Sequence, residues 1–364
     1  MRAFLPKSSP APRLLVLGLN HKTAPLALRE TLAFSDPQSA HALSLLKAQF
    51  PPVEAVLLST CNRVELYLSL PQDAPIPLEV LTHFLATAHH VDPRALAPHL
   101  YLHEDRAMVD HLFAVTTSLD SIIVGETQIL AQVKAAYQLA AAHGTIDKVF
   151  HALFQRSLAA AKDAHESTRL AAGRVSVASV AVDLAGSIFD RFDDKTVLCL
   201  GAGKMAGLML RHLVDLSPRR LVIANRSLDN AQKLAAQFAT LLPTEAQPLE
   251  ALDELLVQAD ILLTSTGAPE PLITAARMKA LQKKRRYRPA VIVDIAVPRD
   301  VEPAVGGLPN LYLYNVDDLQ NRAAGTRAAR DVPVAAARDR LDLDGENLFR
   351  WLAASDVGQL VQEL

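Results

Sequence analysis

The feature that most constrains this chain is a glycine turn at positions 201–206. The run Thr196-Val197-Leu198-Cys199-Leu200 is short and apolar and reads as a buried strand. It passes directly into Gly201-Ala202-Gly203-Lys204-Met205-Ala206, and a helical pattern over 208–216 follows. A G-x-G-x-x-A turn between strand and helix is a phosphate cradle. The first glycine permits the tight turn, the second lets backbone approach a pyrophosphate, and the small third residue lets helix pack on strand. The helix N-terminus then offers free N–H groups to the phosphates. Gly201, Ala202, Gly203, Lys204, Met205 and Ala206 are therefore candidate cofactor-binding residues. A second strand over 220–224 ends in Asn225-Arg226-Ser227. An NAD-preferring turn places Asp or Glu there to hold the ribose 2′-hydroxyl. Here Asn225 and Arg226 suit a 2′-phosphate instead, so the expected cofactor is NADPH. A Rossmann-like domain without a ligand is the competing reading.

The rest of the chain arranges itself around this turn. Strand-like runs at 196–200, 220–224, 260–265 and 290–295 alternate with helical segments, as in a parallel, doubly wound sheet. Ahead of it, runs at 14–19, 53–58 and 64–68 read as strands, and 26–34 and 39–50 as helices. The 64–68 run alternates apolar and polar residues and predicts a half-buried strand. Ala-rich helical sequence spans 145–167 and 175–192, and the chain is Arg- and Ala-rich after the run at 311–315. The expected fold is α/β in three parts. These are an N-terminal α+β domain over 1–155, connecting helices and a Rossmann-type NADP-binding domain over 156–315, and a short C-terminal helical segment over 316–364.

Composition excludes several classes. Lys plus Arg number 37 against 39 Asp plus Glu, a net charge of −2, so no global basic field marks a nucleic-acid binder. Any RNA contact needs a local basic surface. Two cysteines build neither a disulfide framework nor a metal site, and a cytoplasmic, reducing setting is expected. No apolar run is long enough to span a bilayer. The two cysteines differ in context. Cys199, inside a strand, reads as a small buried hydrophobe. Cys61 lies between two strands in Ser59-Thr60-Cys61-Asn62-Arg63, a connection at a sheet end, where functional residues tend to sit. A neighbouring guanidinium favours thiolate over thiol. A nucleophile and an ordinary, partly buried thiol both remain open from chemistry alone.

Further motifs carry a resemblance. Gly18-Leu19-Asn20-His21-Lys22-Thr23-Ala24-Pro25, followed by Leu28-Arg29-Glu30, resembles the opening of glutamyl-tRNA reductases. Ser59-Thr60-Cys61-Asn62-Arg63-Val64-Glu65 resembles that family's nucleophile motif. Leu119-Asp120-Ser121, with Gly125-Glu126-Thr127-Gln128-Ile129 and Gln132, resembles its next signature. The glycine turn, Ala224-Asn225-Arg226, the run from Asp294 to Asp300 and the run from Tyr312 to Leu319 continue the match in order.

The resemblance implies a catalytic N-terminal domain that reduces glutamyl-tRNA(Glu) to glutamate-1-semialdehyde, the first step toward 5-aminolevulinate and tetrapyrroles. Cys61 would attack the ester and form a thioester, which NADPH then reduces. Thr60, Asn62, Arg63, Ser121, Glu126, Thr127, Gln128 and Gln132 would surround the glutamyl group, with Arg63 as the bidentate partner of its carboxylate. His111 matches a histidine that the family places near the cysteine, and a proton-transfer role competes with simple packing. His103 is a nearby competitor, and His21 is structural or substrate-adjacent. The resemblance also implies a homodimer through the C-terminal arm and hand-over of the aldehyde to glutamate-1-semialdehyde aminomutase. Four departures stand out. Ser118 replaces a customary Gly, and Thr127 replaces a common Pro. The linker from Lys162 to Thr168 lacks basic residues the family often carries, and only about fifty residues follow Asn315 where the family continues into a long helical dimerisation domain. The rival readings are a shikimate-dehydrogenase-like NADP oxidoreductase and a non-catalytic, tRNA-binding or regulatory relative.

Overall fold

The computed structural model describes residues 12–121, 128–168, 177–324, 338 and 341–350. It divides into two units, one of residues 1–174 with 328–364 and one of residues 175–327.

The first unit is built on strands β1 (Arg13–Asn20), β2 (Glu54–Ser59), β3 (Arg63–Leu70) and β4 (Tyr101–Glu104). They form an antiparallel sheet in the order β2-β3-β1-β4. Its helices are α1 (Leu26–Thr31), α2 (Asp36–Gln49), α3 (Leu78–Ala88), α4 (Pro93–Leu96), α5 (Asp105–Thr116), α6 (Gln128–Ala142) and α7 (Lys148–Thr168). Leu15, Leu17, Leu66, Leu68, Leu112, Phe113, Phe150 and Phe154 are part of one apolar core. The α2 start is set by a capping box between Ser35 and Gln38, with Pro37 in its first turn, a combination that satisfies end donors a helix otherwise leaves open. The start of α7 is held by a buried carboxylate. Glu54 of β2 accepts from the backbone N–H groups of Asp147 (2.7 Å), Val149 (3.2 Å) and Phe150 (2.8 Å).

The second unit carries β5 (Thr196–Leu200), β6 (Arg220–Asn225), β7 (Thr244–Pro248), β8 (Ile261–Thr264), β9 (Ala290–Asp294) and β10 (Leu311–Asn315). All pairings are parallel, in the order β10-β9-β8-β5-β6-β7. The helices are α8 (Val177–Ile188), α9 (Lys204–Val214), α10 (Leu228–Ala236), α11 (Leu252–Gln258), α12 (Ala275–Gln282) and α13 (Val316–Ala324). The chain winds one way from β5 through β6 to β7, then the other way through β8 to β10. The order reverses beside β5, and a crevice outside the strand C-termini at such a switch point is where doubly wound folds bind ligands.

One expectation is revised. The run at 64–68 was expected to be half-buried, yet β3 is buried along its whole length. Its polar residues face a buried polar cluster instead of solvent. Helix α7 runs without a break through 155/156, and the described residues 338 and 341–350 belong to the first unit. Residues 341–350 are helical, and Leu341 and Leu348 are buried in the N-terminal core. The Arg106 guanidinium of α5 also donates to the Asp342 carbonyl at 3.0 Å.

Candidate active site

Cys61 occupies the tip of the β2–β3 hairpin, whose last pair is Ser59 with Val64. Thr60 closes the turn: its N–H donates to the Arg63 carbonyl at 2.9 Å, and its hydroxyl accepts from the N–H groups of Asn62 (3.1 Å) and Arg63 (3.2 Å). Two further contacts pin the tip. The buried Arg29 guanidinium donates to the Cys61 carbonyl at 2.6 Å, and the His21 N–H donates to the Asn62 carbonyl at 2.9 Å. Arg29 and His21 both belong to the opening motif. The β1–β3 register, Asn20 with Arg63 and Gly18 with Glu65, brings that motif beside the cysteine motif. Gly18 is required by this pairing, because a Cβ there would lie 2.7 Å from the Glu65 side chain and 2.8 Å from the Val64 carbonyl.

Arg63, Glu65 and Tyr67 alternate along β3 and so share one face. That face holds a polar cluster built around Glu65, which is 0% exposed. Glu65 Oε1 accepts from Arg63 Nη1 (2.7 Å), His111 Nε2 (2.9 Å) and the Tyr101 hydroxyl; Oε2 accepts from the Tyr67 hydroxyl at 2.5 Å. Burial alone would raise the Glu65 pKa, but Arg63 and His111 outweigh it and hold the carboxyl well below the usual range. Burial pushes the Tyr67 and Tyr101 hydroxyls up, and Glu65 pushes them further. His103 lies against His111, ring centroids 4.8 Å apart. Burial, with His111 adding, lowers the His103 pKa.

Arg63 is 1% exposed and committed within the protein. Besides Glu65 it reaches Asp120, through Nη1 to the carboxylate at 3.2 Å and Nη2 to the backbone carbonyl at 2.7 Å. Asp120 also pairs with Lys22. This links the cysteine hairpin to the segment after α5, where Ser118 turns the chain at φ 64 and Ser121, partly buried, follows Asp120. Gln128 and Gln132 sit one turn apart on α6, both partly buried. Glu126 and Thr127 lie outside the described residues. The structure therefore brings Thr60, Cys61, Asn62 and Arg63 into one turn, and joins His111 and the neighbour of Ser121 to it through Glu65 and Asp120. Sequence reasoning assigned no role to Arg29, Glu65, Tyr101 or Asp120. The signal available for Glu65 was its spacing of two from Arg63 and from Tyr67.

The glycine turn is separate, in the second unit. Gly201 has φ +100, and a Cβ there would lie 2.4 Å from the Ser265 carbonyl oxygen at the end of β8. Gly203 caps α9, and nothing lies within 4 Å of where its Cβ would be. Ala206 is fully buried, while Ala202 and Met205 are partly exposed; Lys204 opens α9. Asn225 donates from its side chain to the Ser227 carbonyl at 3.0 Å, and Arg226 is exposed at the end of β6. An open backbone at Gly203 and a helix N-terminus fit the pyrophosphate of a dinucleotide. Cys199 is fully buried under this turn, and burial, with Asp300 adding, pushes its thiol up to about 12. Among the described residues no His, Cys, Asp and Glu cluster could hold a metal, and no helix is long and apolar enough to cross a membrane.

Known proteins share both halves. Residues 17–168 match the glutamyl-tRNAGlu reductase N-terminal domain, and residues 183–322 match the shikimate / quinate 5-dehydrogenase domain. A glutamyl-tRNA reductase from Alkalilimnicola ehrlichii is 41% identical over 341 residues, covering 94% of this chain and 75% of the relative. The chain belongs to the glutamyl-tRNA reductase family. A second family member, from Xanthomonas campestris pv. phaseoli, is 43% identical over 94% of this chain and 77% of its own. The glutamyl-tRNA reductase structure from Methanopyrus kandleri is 32% identical, with a TM-score of 0.49 over 93% of this chain and 80% of that one. The shikimate-dehydrogenase likeness is confined to the nucleotide-binding half, so the N-terminal domain is what sets this family apart from that rival.

Proposed function

We propose that the chain reduces glutamyl-tRNA(Glu) to glutamate-1-semialdehyde, with Cys61 as the nucleophile. The observation that carries this is the pinned Cys61 turn, joined through Arg63 to the buried Glu65 carboxylate that His111 contacts. A thiolate is a good acyl acceptor, and the covalent intermediate divides one hard step into two easier ones. The Cys61 sulfur attacks the ester carbonyl, the bond to the ribose oxygen breaks, and the tRNA leaves with that oxygen protonated. NADPH, when bound, would supply the hydride that takes the thioester to the aldehyde and frees Cys61 as the thiolate, which regains a proton from solvent. Gly201, Ala202, Gly203, Lys204, Met205 and Ala206 would hold its pyrophosphate, and Asn225 and Arg226 its 2′-phosphate.

Thr60, Asn62, Ser121, Glu126, Thr127, Gln128 and Gln132 form the glutamyl pocket in this reading. Arg63 serves the substrate carboxylate. Three of its five donors already hold Asp120 and Glu65, so the incoming carboxylate competes with that of Asp120 for this guanidinium. The setting is the cytoplasm, in keeping with two free cysteines. The assembly is a homodimer that passes its aldehyde to an aminomutase.

Single-turnover incubation with glutamyl-tRNA labelled on the glutamate tests the proposal. Label should accumulate on Cys61 without NADPH and leave as aldehyde with it; Cys61→Ser should carry none. No label on the wild-type protein, with NADPH binding intact, would favour the non-catalytic relative.

A further inference from the structure

We propose that Glu65 is the positioning residue for His111, fixing its tautomer so that Nδ1 is the nitrogen that exchanges a proton with Cys61 and the leaving ribose oxygen. The inference rests on the function proposed above and adds a third member to the acyl-transfer machinery.

Donor counting carries the argument. An ionised carboxylate only accepts, and its two oxygens offer about four lone-pair sites. Glu65 receives four contacts: Arg63 Nη1, the Tyr101 hydroxyl and His111 Nε2 at one oxygen, and the Tyr67 hydroxyl at the other. Arg63 has only hydrogens to give, and each tyrosine hydroxyl donates to the carboxylate. The fourth contact, 2.9 Å from His111 Nε2, must also be a donor, which places the imidazole hydrogen on Nε2. In a neutral ring the other nitrogen is then the base. The charge on Glu65 is compensated by Arg63; both are buried, with side chains 0% and 1% exposed. The carboxylate is therefore held in place without being neutralised by a proton. His111 itself is 10% exposed, so one edge of its ring reaches outward. The rings of Tyr101 and His103, 5.4 and 4.8 Å away, flank it and restrict its rotation.

The proton balance is simple. The Cys61 thiol gives its proton to His111 Nδ1, and the thiolate attacks the ester carbonyl. The carbon–oxygen bond breaks, and the Nδ1 proton passes to the departing ribose oxygen. Glu65 stays ionised throughout and stabilises the transient imidazolium, as a buried carboxylate does for a catalytic histidine.

Two measurements decide it. The first is the nitrogen-15 NMR spectrum of histidine-labelled wild-type protein, with the His111 signals assigned by His111→Asn. The expected result is the Nε2–H tautomer of the neutral ring; a predominant Nδ1–H tautomer overturns the proposal without any change to Glu65. The second is Glu65→Gln in the single-turnover acylation assay. The expected loss in acylation rate is about 100-fold or more, with apparent KM for glutamyl-tRNA within about threefold of wild type. A wild-type rate, or a rise in KM that accounts for the loss, overturns it. If Glu65→Gln does not fold, the wild-type tautomer alone decides. If the wild-type protein forms no thioester, the proposed function fails while the tautomer result stands, so the two failures are distinguishable.

Discussion

Gly201 and Gly203 stand two residues apart in one turn, and the structure predicts opposite consequences for the same substitution. At Gly201 the backbone has φ +100, and a Cβ would meet the Ser265 carbonyl oxygen at 2.4 Å. An L-residue in left-handed backbone costs about 1–2 kcal/mol. Relieving an overpacked contact against backbone adds roughly 1–3 kcal/mol. Gly201→Ala should therefore destabilise the nucleotide-binding unit by about 3 kcal/mol, lowering its melting transition by roughly 6–12 °C. At Gly203 the backbone has φ −79, and no atom lies within 4 Å of a new Cβ. Exchanging Gly for Ala at a helix cap costs at most about 1 kcal/mol, so Gly203→Ala should melt nearly as wild type does. Its cost appears with the ligand, because the methyl group occupies the space through which a pyrophosphate approaches the backbone. NADPH affinity should fall at least about tenfold, or ~1.4 kcal/mol. Scanning calorimetry without cofactor and fluorescence titration with NADPH separate the two effects. Wild-type NADPH affinity in Gly203→Ala would refute the placement of the pyrophosphate, and wild-type melting in Gly201→Ala would refute the steric argument.

Ser118 is fully buried at φ 64, so Ser118→Gly should raise the melting temperature, by about 1 kcal/mol of relieved strain; a lower temperature would mean that the contacts of the serine outweigh the strain. Glu54→Ala should destabilise the N-terminal unit by about 3–5 kcal/mol, since it leaves three N–H groups at the start of α7 without their acceptor. Hydrogen exchange of α7 amides checks this, and unchanged protection would refute it. Burial, with Arg63 and Lys22 adding, lowers the His21 pKa to about 4 from its ordinary 6.5. The unfolded chain then takes up a proton between about pH 6.5 and 4 that the folded chain refuses, so stability falls with pH across that window. His21→Asn should flatten the slope there in urea titrations, and an unchanged slope would place the protonation elsewhere. Gly345 lies against α5, where a Cβ would approach an Asp110 carboxylate oxygen to 2.8 Å. Gly345→Val should therefore loosen residues 341–350 from the N-terminal core, seen as faster proteolysis in that segment; unchanged proteolysis would refute the contact.

What could be read from the chain alone follows the range of the forces involved. The glycine turn and the Cys61 hairpin are local: a few adjacent residues specify each, and β5 appears with the bounds expected of it. The edge strands β4 and β7 were missed because Tyr101–Glu104 and Thr244–Pro248 are short and polar, and their side chains are mostly part-buried. They are strands because β1 and β6 offer free edges, and that information lies far away in the sequence. The alternation of β3 was read correctly as to which residues share a face, and wrongly as to what covers that face. A period of two cannot distinguish water from a buried guanidinium, two tyrosines and a histidine. His111 stands 46 positions from Glu65, and Asp120 stands 57 from Arg63. Only folding brings them together, and that is why the Cys61 motif is visible in adjacent residues while the contacts of Glu65 with His111 and of Arg63 with Asp120 are not.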